Sequence, residues 1–191
     1  MDRSNGYEAV SAEFLARRSR DIGVDAVRKW ARALPRAAAV IDLGCGPGVP
    51  LTQVLVAEGL SAFGLDAAPS FVQVFRRNLP NTPIVCETVQ DSSFFDRTFD
   101  AVLAWGLMFL LRPEDQHRLI PGIAGILAPG GRLLFTSPAR QSVWNDAMTG
   151  LKSFSLGAEE YRRLFLAVGV SISNEYDDEG ENHYFDAFKK G

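Results

Sequence analysis

The run Asp42-Leu43-Gly44-Cys45-Gly46-Pro47-Gly48 holds most of this chain's capacity for ligand chemistry. It follows a short apolar stretch, Ala37 to Ile41, that reads as a buried strand, and it leads into a helix opening at Val49-Pro50. Glycines at alternate positions let a backbone turn sharply at a strand end and leave room for a ligand against the main chain. Free N–H groups at the following helix start favour a polar or anionic ligand group. A dinucleotide fingerprint places glycine at the first, third and sixth positions. Counted from Gly44, the sixth residue here is Val49, and the glycines fall at first, third and fifth. Val49 therefore argues against a nicotinamide-dependent oxidoreductase.

That spacing, with an acid two residues ahead of the first glycine, resembles motif I of the class I S-adenosylmethionine-dependent methyltransferases. The resemblance implies S-adenosyl-L-methionine as cofactor and S-adenosyl-L-homocysteine as product. In the family the loop backbone, here Gly44, Cys45, Gly46 and Gly48 leading to Val49, packs against the methionine and ribose portion. The acid, here Asp42, helps hold the ligand's amino end, sometimes through water. Asp66 ends the next strand, eighteen residues after Gly48, with Ala67 beside it. A carboxylate at that place accepts bonds from both ribose hydroxyls in dinucleotide folds. The plainer role for Asp66 is to cap the helix beginning at Pro69.

The third strand leads into Glu87-Thr88-Val89-Gln90-Asp91. The family usually carries a Gly-Asp-Ala-like run here, about a dozen residues before a Phe-Asp pair. This chain has Phe99-Asp100 without that run, so the expectation is Val89 against adenine and Gln90 or Asp91 at its edge. The fourth strand ends at Ala104-Trp105-Gly106. Trp105 either faces the cofactor's sulfonium, which an aromatic ring attracts, or packs in the core; Gly106 keeps the entrance open. Phe99-Asp100-Ala101-Val102 and Leu127-Ala128-Pro129-Gly130-Gly131 also match family-typical stretches and read as structural, Asp100 anchoring a strand start.

In-line methyl transfer needs alignment of nucleophile, methyl and departing sulfur, and much of the acceleration can come from positioning. A general base is required only where the acceptor must lose a proton early. His183 and Tyr7 are the candidate bases, although His183 alternates with Phe185 and Ala187 on one strand face, which favours a structural, hydrogen-bonded role. Arg17 and Arg18 on the N-terminal segment, and Trp144, Asn145 and Asp146 after the fifth strand, are further candidates to face the acceptor. No basic-aromatic surface for nucleic acid is present, so a small-molecule acceptor is favoured. A non-catalytic S-adenosylmethionine-binding module is the other reading of the same residues.

These residues need a scaffold, and the segments supply one by alternating between strand-like and helix-like patterns. The expected fold is α/β, Rossmann-like and doubly wound: a mostly parallel seven-stranded sheet with an antiparallel C-terminal strand and helices on both faces. Residues 9–34 read as two helical pieces parted near Ile22-Gly23. Strands are expected at 61–66, 83–87, 99–105 and 132–136, and helices at 50–58, 69–78 and 158–168. Residues 113–127 read as a helix kinked or split at Pro121-Gly122. Residues 137–155 show little periodicity and suit a lid over the site. The alternation at 170–176 and 182–188 predicts a hairpin.

One domain is expected over 1–191: an N-terminal helical cap (1–36), a cofactor-binding core (37–136), the lid-like loop (137–155), and a helix with the C-terminal hairpin (156–191). The chain has 191 residues, 47% of them apolar and 23% charged, with a formal charge of −3, a balance with no attraction for nucleic acid or an anionic membrane. Cys45, Cys86, His117 and His183 are too scattered to bind a metal. Asp2, Arg3 and Glu8 interrupt any apolar leader, and no apolar run approaches the roughly 20 residues a membrane span needs. The expectation is a soluble, cytoplasmic protein; nothing in the sequence sets an oligomeric state.

Overall fold

A computed structural model describes residues 3–191, so Met1 and Asp2, the first of the residues weighed against a leader, lie outside the described residues. The N-terminal segment carries α1 (Ser11–Arg17) and α2 (Val24–Arg32), parted by Gly23 in the left-handed region. Then come β1 (Ala39–Leu43), α3 (Leu51–Ala57), β2 (Ser61–Asp66), α4 (Pro69–Asn78), β3 (Ile84–Cys86) and β4 (Phe99–Ala104). Next are α5 (Pro113–Ile126), β5 (Leu127–Thr136), β6 (Ser142–Asn145) and β7 (Lys152–Ser155). The chain ends with α6 (Ala158–Ala167), β8 (Val170–Asp177) and β9 (His183–Lys189).

Seven strands form one sheet in the order β3-β2-β1-β4-β5-β9-β8. Six point the same way, and only β9 runs against its neighbours β5 and β8. β1 is buried at all five positions, as a strand covered on both faces must be. Alternation along β4 shows the two faces directly. Ala101 and Leu103 meet Val27, Trp30, Leu51 and Leu55 of α2 and α3. Val102 and Ala104 meet the layer built from Leu119, Ile120 and Ile123 of α5 with Tyr161 and Phe165 of α6. Because strand order reverses between β1 and β4, a crevice opens at their carboxyl ends, the place where open α/β sheets take ligands. Asp100 fixes that edge from below, its Oδ2 accepting the Ala39 N–H at 2.7 Å to start β1.

Three local expectations need correction. Residues 113–126 form one helix rather than two short ones, with Pro121 inside it. Leu119, Ile120, Ile123 and Ala124 stay buried on both sides of the proline, and tertiary burial of that stripe outweighs the one backbone bond proline removes. Pro129-Gly130-Gly131 does not precede the fifth strand but bulges within it: Phe99 pairs with Leu127 and Ala101 with Arg132. Residues 137–155 are not a plain loop, since β6 and β7 pair antiparallel as a small separate sheet. Among the described residues no helix is long and apolar enough to cross a membrane.

Candidate functional site

A cleft lies over the carboxyl ends of β1, β2 and β4, closed from above by residues 3–18. Its floor is the loop after β1. Gly44 and Gly46 have φ of +70° and +56°, a region costly for any side chain-bearing residue. A Cβ on Gly44 would meet Leu107 at 3.1 Å, whereas one on Gly46 or on Gly106 would enter open space. The backbone at Gly46 and Gly106 is thus bare toward the cleft. Gly106 is held by its N–H donating to Thr136 Oγ1 at 2.8 Å.

Asp66 ties the floor to the next wall. Its Oδ2 accepts the Gly46 N–H and its Oδ1 the Ala68 N–H, each at 2.8 Å. The side chain therefore holds the turn leading into α4 and also organises the glycine loop. A carboxylate has about four lone-pair sites, so both oxygens retain acceptor capacity toward the cleft. Burial pushes its carboxyl above the ordinary range, against the pull of the Ala68 and Gly46 N–H groups. Asp42 lies deeper and does not line the cleft. It is 2% exposed and accepts Thr52 Oγ1–H at 2.6 Å. Burial pushes its carboxyl up to about 7, while the Thr52 bond and the charge of Arg18 act to lower it.

Arg18 enters from the N-terminal segment. Its guanidinium sits over the rings of Phe14 and Trp105, 5.2 and 5.3 Å from their centroids, and Nε donates to the Val49 carbonyl at 3.2 Å. Burial lowers its pKa, and the charges of Asp42, Tyr7 and Asp66 oppose that shift. Among the described residues it forms no ion pair, so its two terminal nitrogens remain available to a carboxylate in the cleft. Arg17, the neighbouring candidate, faces out and pairs with Glu13 at 2.9 Å.

Residues 3–18 form a strap fastened at several points. Arg3 pairs with Asp91. Glu8 accepts both Ser70 N–H at 3.0 Å and Ser70 Oγ–H at 2.6 Å, at the start of α4. Tyr7 packs edge-on against Phe14, and its phenol donates to Asp146 Oδ2 at 3.2 Å. Burial, then the Asp146 charge, raises the Tyr7 pKa above that of a free phenol. Tyr7 is thus held protonated, a poor start for a general base. Asp146 is itself engaged, its Oδ1 accepting from Met148 N, Thr149 N and Thr149 Oγ1.

Of the residues singled out in the sequence, Tyr7, Gly44, Cys45, Gly46, Asp66, Ala67, Val89, Gln90, Trp105 and Gly106 line one cleft. Gly48, Val49 and Asp91 do not. Gly48 packs against Phe75 and Leu79, Val49 supplies its carbonyl to Arg18, and Asp91 sits outside, bonded by Thr88 Oγ1 at 2.9 Å and by Arg3. Trp144 stands behind the wall, its ring 5.6 Å from Phe109. His183 must be withdrawn as a candidate base. Alternation on β9 turns it with Phe185 away from the cleft, between Asp177 (2.7 Å) and Glu175 (3.2 Å) of β8. Phe14, Phe71, Leu107 and Phe109 complete the wall and were not anticipated; Phe14 alone carried a signal, standing one helical turn before Arg18.

A glycine floor, an acid at the end of β2 and the half-buried Arg18, which among the described residues makes no ion pair, meet at the switch point of a doubly wound sheet. Residues 40–131 match the family model of a methyltransferase domain. An uncharacterized methyltransferase of Mycobacterium tuberculosis is 40% identical over 104 residues, covering 52% of this chain and 40% of that protein. Trans-aconitate 2-methyltransferase of Paracidovorax citrulli is 27% identical over 164 residues, covering 73% and 60%. The chain thus spans about half the length of the curated relatives it matches. Two solved structures share the fold. An S-adenosylmethionine-bound amino pentose methyltransferase from Micromonospora echinaspora aligns with a TM-score of 0.72 at 20% identity, covering 94% of this chain and 95% of that one. Magnesium protoporphyrin IX methyltransferase from Synechocystis, with bound S-adenosylmethionine, aligns at 0.75 and 15%, covering 98% and 95%. Over residues 40–131 the chain thus resembles a methyltransferase domain, and its fold is that of solved S-adenosylmethionine-bound methyltransferases.

Proposed function

We propose that this chain binds S-adenosylmethionine in the cleft and transfers its methyl group in line to a small-molecule acceptor. The observation that carries the reading is the convergence on one cavity of Asp66, the bare backbone at Gly46 and the Arg18 guanidinium, which among the described residues makes no ion pair. Asp66 would accept the ribose hydroxyls with its remaining lone pairs. Arg18 would hold the carboxylate of the methionine arm, and Asp42 would attract its ammonium from beneath the loop. Ala67, Val89 and Gln90 would line the adenine. When bound, the cofactor supplies a methyl group on an electrophilic sulfonium.

The chain's own contribution is alignment and exclusion of water. Leu107, Phe109, Leu110 and Leu111 give the far wall an apolar surface suited to an aromatic or amphipathic acceptor. The strap shuts the cleft above it. Since Tyr7 is protonated and His183 faces elsewhere, the reaction relies on positioning rather than on a dedicated base. Mass spectrometry of ligand released from freshly purified, denatured protein tests the reading. S-adenosylmethionine or S-adenosylhomocysteine is expected; protein that neither retains nor binds either one overturns the proposal. S-adenosylhomocysteine formed on incubation with metabolite fractions separates an enzyme from a silent binding module.

A further inference from the structure

The C-terminal hairpin reaches the back of one cleft residue, Trp105, through a single side chain. Tyr184 of β9 is fully buried on the α2–α3 face, pairs in register with Thr136 and stacks on Tyr176, rings 5.0 Å apart and 3° from parallel. Its hydroxyl accepts the Trp105 Nε1–H at 2.7 Å and donates to Asp178 Oδ2 at 2.8 Å, in the turn between β8 and β9. That turn is itself pinned. Asp178 Oδ1 accepts from Gly180 N and Asn182 N, and Glu179 Oε1 accepts the Gly23 N–H at 3.3 Å. A Cβ on Gly23 would lie 2.9 Å from both Trp105 Nε1 and the Tyr184 hydroxyl, so the start of α2 closes over the pair.

An indole has a single N–H, and here it points away from the cavity to Tyr184. That bond fixes the ring's rotation, and the ring face is the surface on which the Arg18 guanidinium rests. We propose that Tyr184 is a positioning residue for the cofactor's carboxylate: it sets the Trp105 indole, which sets the fork of Arg18. The Asp178–Tyr184–Trp105–Arg18 succession makes the family's reversed strand part of the binding apparatus rather than only an edge of the sheet. The inference rests on the proposed role of Arg18 toward the methionine arm.

The test is Tyr184→Phe, which keeps the ring and its stacking and deletes the hydroxyl, compared with wild type by calorimetric binding of S-adenosylmethionine and of its decarboxylated analogue. Loss of one buried hydrogen bond in the succession is expected to weaken S-adenosylmethionine about three- to tenfold. Binding of the decarboxylated analogue is expected to be unchanged. An equal loss for both ligands, or a loss for neither, overturns the proposal. Trp105→Phe removes the same bond from the other side. Its effect and that of Tyr184→Phe should not add in the double variant; additive losses also overturn it. If Tyr184→Phe does not fold, Trp105→Phe carries the two-ligand comparison alone. Wild type that binds neither ligand refutes the cofactor reading instead. In that case the Trp105 indole proton resonance of the apo protein, expected to move on Tyr184→Phe, still reports whether the bond exists.

Discussion

The Asp66 carboxylate accepts the N–H of Gly46 at 2.8 Å across twenty residues of sequence, so the acid that ends β2 also shapes the loop that ends β1. A ribose contact and loop organisation therefore come from one side chain. Hydrogen bonds to a charged group are each worth about 1.5–3 kcal/mol. Asp66→Ala is expected to lose more than tenfold in S-adenosylhomocysteine affinity and to unfold at lower denaturant. Calorimetry with a urea titration reads both. Undiminished affinity would remove Asp66 from the site.

Asp42 makes stability depend on pH in a definite direction. Its carboxyl stands near 7 in the fold because of burial, against roughly 4 in an unfolded chain. Between those values the folded state holds the extra proton, so this contribution is full below pH 4 and is lost as pH rises toward 7. Asp42→Asn keeps an acceptor for Thr52 and has no proton to lose. The stability of Asp42→Asn relative to wild type should rise by a few kcal/mol between pH 4.5 and 8. Asp66 shifts the same way in both proteins, so its own burial contribution drops out and only its coupling to Asp42 stays in the difference. Urea midpoints across that range decide the point; a flat difference contradicts it.

What the sequence disclosed follows from how local each signal is. Gly44, Gly46 and Asp66 were legible because a turn at a strand end constrains neighbouring residue types, and the order of strands followed from alternation and breakers. Phe71, Leu107 and Phe109 were not, since an apolar side chain lining a cleft has the same local pattern as one lining a core. His183 and Arg18 were indistinguishable as candidates until the register of β9 turned one outward and the strap brought the other inward. The hairpin at β6–β7 escaped notice because its strands are four residues each, too short for alternation to stand out.

The strap over the cleft is fastened to α4 chiefly by Glu8, whose two oxygens take the N–H and hydroxyl of Ser70. Glu8→Ala removes that anchor and a favourable charge at the helix start, worth about 1 kcal/mol locally. Amide exchange across residues 3–18 should quicken and bound S-adenosylhomocysteine should leave several-fold faster, with β1 and β4 protected as before. Exchange by mass spectrometry checks this. An unchanged strap would show that Tyr7, Phe14 and Phe71 suffice to hold it.

His183 provides a negative control. It is bracketed by Asp177 and Glu175 on β8, in hydrogen-bonded contacts of a kind usually worth about 0.5–1.5 kcal/mol. His183→Ala should leave ligand affinity, and any turnover found, within twofold, and shift the melting temperature by only about 2–4 °C. A turnover loss of a hundredfold with intact binding would restore it as a base acting in another conformation.

Gly46 and Gly48 sit two residues apart, both at positive φ, and should fail in opposite ways. A Cβ on Gly48 would stand 2.7 Å from Phe75 and 2.9 Å from Leu79, both fixed in a buried cluster with Cys45. Neither ring nor branched chain can yield without opening that cluster. Overpacking of this kind costs about 1–3 kcal/mol, and the left-handed backbone adds about 1 kcal/mol more. Gly48→Ala is accordingly a folding lesion, with ligand affinity close to wild type in whatever fraction remains native. On Gly46 the methyl meets nothing within 4 Å, so the backbone term alone remains and the protein should stay folded. That methyl occupies the bare face of the loop floor. Gly46→Ala is therefore expected to purify folded and to lose S-adenosylmethionine binding at least tenfold, the mirror image of its neighbour. Melting temperature and calorimetric affinity measured on both variants separate the two cases. If Gly46→Ala bound normally, the ligand would not approach the loop at its centre.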